Sequence, residues 1–157
     1  MQKRMVEAPE LHAEPEADTW LDLEDTAQVE LTSEDASRPV EGALQSKPGF
    51  GWRAAEPGVQ SIRLLFRQPQ RLKRILLRFE EPAASRTQEF ALRWSQDGGR
   101  SFRELMRQQY TFSPEGSTTE LEDLNVDLRM VTALELTINP DQGRGQAYAS
   151  LAEWRVA

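Results

Sequence analysis

Between Arg86 and Leu105 the chain reads RTQEFALRWSQDGGRSFREL, and steps of two sort it into faces. Phe90, Leu92 and Trp94 share one side; Glu89, Ala91, Arg93 and Ser95 share the other. That is the period of a strand with one buried face. Asp97-Gly98-Gly99 in its middle is a hairpin signal, because glycine supplies the positive φ that tight connections need. The same texture extends along the chain and predicts eight strands. They are QVELTS (28–33), QSIRLLF (60–66), RILLRFE (74–80), QEFALRWS (88–95), SFRELMRQ (101–108), ELEDLNVDL (120–128), ALELTIN (133–139) and SLAEWRVA (150–157). Proline, glycine and Asp-Gly punctuate the gaps, as in RQPQR, EEPAASR, QDGGR, SPEGS and NPDQGRG. No helical period competes over residues 60–157, so the pattern points to an all-β antiparallel sandwich or barrel. Ahead of the strands, DTWLDLEDTA reads as a short helix with Thr19 as its N-cap and Trp20, Leu21 and Leu23 packing onto the domain.

Composition narrows this picture. The 157 residues suffice for one domain with its own core. Residues 1–18, rich in Glu, Ala and Pro, are too poor in apolar side chains to offset the entropy of ordering, so they read as a disordered acidic tail before a domain at 19–157. With no cysteine, stability has to come from packing, which suits a cytoplasmic setting. MVEAPELHAEPEAD lacks the apolar stretch of a signal peptide, and no segment reaches membrane-spanning length. The expected protein is therefore intracellular. A net charge of −7 argues against nucleic acid and anionic lipid as partners.

In order along the chain, VELTSEDASRPVEGAL, a Gly-rich loop with GWRA, QSIRLLFRQPQRLKRILLRF, FALRWSQDGGRSF, LNVDL, ALELTI and SLAEWRV resemble the discoidin, or coagulation-factor C-type, domains of the galactose-binding-like superfamily. The resemblance covers roughly residues 27–157. It implies an eight-stranded antiparallel jelly-roll β-sandwich used for binding, often of sugars and sometimes of lipids or proteins. Strands 1, 8, 3 and 6 would form one sheet and strands 2, 7, 4 and 5 the other. QSKPGFGW lacks the Asp-Gly and Thr that the resemblance places before the tryptophan at a structural calcium site, so no cofactor is expected.

Outward charges fit that order, with Arg63 and Arg67, Glu135, then Arg93 across one sheet, and Arg74 and Arg78 between Asp123, Asp127 and Glu153 in the other. The arginine-rich run 63–78 is thus read as a cross-strand ladder rather than an anion patch. Connections after odd-numbered strands, 34–59, 82–87, 109–119 and 140–149, are the long ones and share one end, where functional residues concentrate. They gather Phe50, Trp52, Phe112 and Tyr148, and the candidate ligand-binding residues Arg53, Arg86, Gln109, Tyr110, Asp141 and Arg144. Aromatic rings cover the C–H face of a sugar while charged groups fix its hydroxyls. Trp52 is read as a plug at the end of the core, and Trp94 and Trp154 as core.

Catalysis is not expected. The single histidine, His12, sits in the tail, so no Ser-His-Asp or metal-histidine constellation assembles. GRGQAY is not a nucleotide fingerprint, DLEDTAQVELTSED is not an EF-hand loop, and nothing pairs Glu41, Glu56 and Asp141 for glycoside hydrolysis. Two functions remain: a non-catalytic module binding carbohydrate through the loops at one end, or an intracellular protein-interaction domain within a larger assembly.

Overall fold

In the computed structural model, which describes residues 2–5, 20–45, 50–143 and 145–157, the predicted strands 60–66 and 74–80 are one. This is β3, Gln60–Glu80; likewise 120–128 and 133–139 join as β6, Thr119–Asn139. RQPQR and RMVT are bends within these strands rather than loops. Pro69 is tolerated because the β3–β6 register already shifts between Leu65 and Gln70, where the ladder does not require its missing N–H. Further shifts between Gln70 and Arg74 change the phase of the inward row, which runs Ile62, Leu64, Phe66 before the bend and Ile75, Leu77, Phe79 after it.

The two bent strands make the layers. β1 (Ala27–Leu31) pairs with the first half of β3, from Ala27 opposite Phe66 to Leu31 opposite Ile62. β4 (Arg86–Ser95) pairs with the second half of β6 and with β5 (Arg103–Phe112). β8 (Glu153–Val156) instead adds to the second half of β3, which pairs with the first half of β6. The layers meet at a core that includes Ile62, Leu64, Leu77, Leu92, Leu136 and Trp154, where the Phe79 and Phe90 rings stack at 5.1 Å. At roughly 25 cal/mol per Å² of apolar surface removed from water, such rows supply the main stabilisation.

Several expectations change. The orders 2-7-4-5 and 8-3-6 of the predicted strands are present, but the first strand lies in the other layer, against the second. The reason is upstream: Leu21 N–H bonds to Val156 O at 2.8 Å, and the chain then turns through α1 (Leu23–Thr26) before β1 begins. Asp22 caps that helix, accepting the Asp25 N–H; Thr19 and most of the 1–18 tail lie outside the described residues. SLAEWRVA is two strands, β7 (Tyr148–Leu151) and β8. β7 pairs with β2 (Trp52–Pro57), a strand not foreseen, and α2 (Glu41–Leu44) was not foreseen either. Trp52 and Trp154 are buried as expected, whereas Trp94 is half-buried beneath the Arg103 guanidinium.

The charge ladder is formed in part: Arg67 instead donates to Asp25 O at 3.1 Å, and Asp127 pairs with Arg71 rather than with Arg74 or Arg78. Arg63 Nη2 lies 2.6 Å from Glu135, which also pairs with Arg93. Arg74 lies 2.6 Å from Asp123, Arg71 3.1 Å from Asp127 and Arg78 3.7 Å from Glu153.

Candidate functional site

Four connectors meet at one end of the sandwich, and short bonds tie them together. Gly58 N–H bonds to Ala147 O at 3.0 Å, Glu81 N–H to Thr118 O at 2.8 Å, and Gln142 N–H to Thr87 O at 2.9 Å. The predicted site residues distribute over this rim in two sets.

The first set surrounds β4 and β5. Arg86 is turned inward: it donates to Glu81 at 2.8 Å, Pro140 O at 2.7 Å and Gln88 at 3.3 Å, with its guanidinium 4.8 Å from the Phe112 ring. Its Nε and Nη1 donors are committed to holding the 81–86 and 140 connectors. Tyr110 packs against the core and donates its hydroxyl to Thr119 O at 2.9 Å. Gln109 and Gln142 converge on Glu89 Oε2 at 3.1 and 2.7 Å, with Arg107 on Oε1 at 2.6 Å. These bonds, Gln109 first, hold the Glu89 carboxyl below the usual range. Asp141 accepts the Gly143 N–H within its own turn at 3.3 Å. Arg144 lies outside the described residues.

The second set is built on the β2–β7 ribbon. Gly51 sets it up: its φ of 73° lies in the left-handed region, and a Cβ there would stand 2.5 Å from Leu151 O. This close approach buries Trp52, whose indole N–H reaches Ser33 O at 3.1 Å, and turns Arg53 outward. The Arg53 guanidinium then lies 4.9 Å from the Tyr148 ring. Backbone bonds carry the contact on, from Asp35 N–H to Arg53 O at 2.8 Å and from Arg53 N–H to Arg38 O at 3.1 Å. Arg38 donates to Phe50 O at 2.7 Å and covers the Phe50 ring at 5.5 Å, though that ring is still 80% exposed.

Glu34, Asp35, Ala36, Arg53, Ala54, Ala55 and Tyr148 line an open hollow of about 470 Å³. Asp35 is held below the usual carboxylate range, chiefly by the Ser37 N–H and hydroxyl, with Arg53 and Arg38 adding to this. Asp35 and Arg38 were not among the predicted residues. Their signal was SEDASR, where an Asp two residues before a Ser makes an Asx turn. Among the described residues no group of three or more His, Cys, Asp or Glu side chains is placed to hold a metal ion.

No family model matches the chain, and no curated protein matches it in sequence. Solved structures do match. CpGH89CBM32-5 from Clostridium perfringens, in complex with GalNAc-beta-1,3-galactose, superposes with a TM-score of 0.63 at 22% identity, over 88% of this chain and 99% of that one. CBM32-3 from a family 31 glycoside hydrolase of the same organism gives 0.65 at 16%, over 89% and 95%. A pectin-binding carbohydrate-binding module gives 0.61 at 15%, over 83% and 89%. This chain has the fold of these modules. At these identities the likeness concerns the fold alone, an antiparallel β-sandwich.

Proposed function

We propose that the protein is a non-catalytic carbohydrate-binding module of the discoidin type, and that it takes its ligand at the β2–β7 end. The observation that carries this is the Arg53 guanidinium over Tyr148, walling a hollow open to water. A tyrosine ring with a planar cation over one face offers apolar surface and directed N–H donors together, which is what a sugar's two kinds of surface require. The sugar-binding modules that share the fold support the reading.

Binding without catalysis is supported by the state of the nearby acids. Asp35 is tied to Ser37, and Glu34 accepts the Val40 N–H at 3.0 Å. A glycan array with the purified protein tests the reading: at least one sugar class should bind. Tyr148→Ala should then weaken binding by roughly tenfold, the loss of a central aromatic contact, while leaving the circular dichroism spectrum unchanged. Absence of glycan binding, with stable capture of a protein through exposed Phe50 and Arg38, would favour the protein-interaction reading; an exposed aromatic beside an arginine also suits a protein hot spot.

A further inference from the structure

The arginines of this chain divide by what meets their charge. Arg63 and Arg93 hold Glu135, Arg74 holds Asp123, Arg86 holds Glu81 and Arg107 holds Glu89. At the hollow the pattern changes. Arg53, like Arg38 over Phe50 and Arg103 over Trp94, has no carboxylate at ion-pair distance among the described residues, but it alone of the three lines the hollow; the Tyr148 ring meets it at 4.9 Å, and Asp35 acts on it from further away. The acids beside it turn into their own loop. Asp35 Oδ1 takes both the N–H and the hydroxyl of Ser37, at 2.9 and 2.8 Å, and Glu34 Oε2 takes the Val40 N–H.

A guanidinium laid on an aromatic ring is held flat, with its edge N–H groups directed away from the ring. That planar fork matches a carboxylate through two parallel, charge-assisted bonds, each about twice as strong as a neutral one. A sugar hydroxyl engages the same fork without bringing charge. The hollow therefore distinguishes the two, and the difference favours an anion.

We propose that the hollow takes an acidic glycan, a chain of uronic-acid sugars, with Arg53 pairing the ring carboxylate and Tyr148 holding the guanidinium in plane. This inference rests on the carbohydrate reading above and names its ligand class. Calorimetric titration of the whole chain with galacturonic acid oligomers, and with neutral galactose oligomers of the same length, tests it. The acidic oligomer should bind tighter by about tenfold, the scale of one charge-assisted contact. Added salt should narrow the gap.

Arg53→Ala should abolish the preference and Arg53→Lys, which keeps charge but loses the fork, should retain part of it. Arg129→Ala, which removes an equal charge from the 129–132 bend, should leave the preference as it is. Equal or tighter binding of the neutral oligomer overturns the inference and leaves the carbohydrate reading standing. A preference that survives Arg53→Ala overturns the assignment to Arg53. If neither oligomer binds, the inference falls, and the glycan array decides the carbohydrate reading separately.

Discussion

Glu120 occupies an inward position of β6 with 1% of its surface exposed. Gln88 donates to its Oε1 at 3.2 Å, while Oε2 finds no hydrogen-bond partner among the described residues. Burial, with Glu122 adding to it, pushes this carboxyl up to about 8 from an ordinary value of 4.5. A folded-state value above the unfolded one means that folding takes up a proton. The contribution is full below 4.5 and is lost as pH rises toward 8. Glu120→Gln, which keeps the shape and cannot ionise, should therefore raise stability at pH 8 by roughly 1 to 3 kcal/mol, the cost of an unsatisfied buried group. At pH 4 it should change stability little. Urea melts at both values check this, and an equal effect at the two would contradict it. The same inward row explains why Arg86 is a poor ligand contact. Arg86, Gln88, Phe90 and Leu92 share the even parity of β4, so the strand period already placed Arg86 inside. Arg53 and Tyr148 gave no such sign, because their meeting depends on β2 pairing with β7, some hundred residues away along the chain.

The strands themselves were legible wherever apolar and polar residues alternate. β4 matches closely, and β5 is found where expected but runs four residues further, to Phe112, because Phe90, Leu92 and the Gly98–Gly99 turn set the pairing. β2 was hidden by its composition: WRAAEP has two alanines and a proline where strand formers would be. Charge placed the central strands correctly, and Glu135 shows the strength of that signal. Burial works to raise its carboxyl, and hydrogen bonds from Arg63 and Arg93 overcome this and hold it below the usual range. Its contribution thus has the opposite sign to that of Glu120, being present above the ordinary 4.5 and lost as pH falls through the folded value. Glu135→Gln should cost roughly 1 to 2 kcal/mol at pH 7, the lower end for a paired buried charge, since water reaches both arginines. The difference from the parent should shrink toward pH 3 and in molar salt. A loss that ignored both would mean that packing, rather than the ladder, sets the register here.

For the whole molecule, the consequential feature is that β3 and β6, twenty-one residues each, belong to both layers. Charge alternation could not reveal this, since it orders neighbours within a sheet but does not say whether two collinear strands are joined. Nor could it place β1, whose layer depends on the turn at Asp22. In a sandwich whose layers are linked by loops, one sheet can loosen while the other persists. Here, unpairing the second half of β3 from β8 exposes Leu77 and Phe79, and the stack of Phe79 on Phe90 carries that loss into the β4 layer. Unfolding should accordingly be a single cooperative step, as is usual below about 150 residues for one core. Trp94 on β4 and Trp154 on β8 report the two layers separately. In one variant keeping Trp94 alone and another keeping Trp154 alone, with the remaining tryptophans changed to Phe, fluorescence and far-ultraviolet dichroism should share a urea midpoint. If Trp154 fluorescence changed at lower urea than the dichroism of the same variant, β8 and the second half of β3 would form a separate, weaker unit. The bent strands would then connect the layers without coupling them.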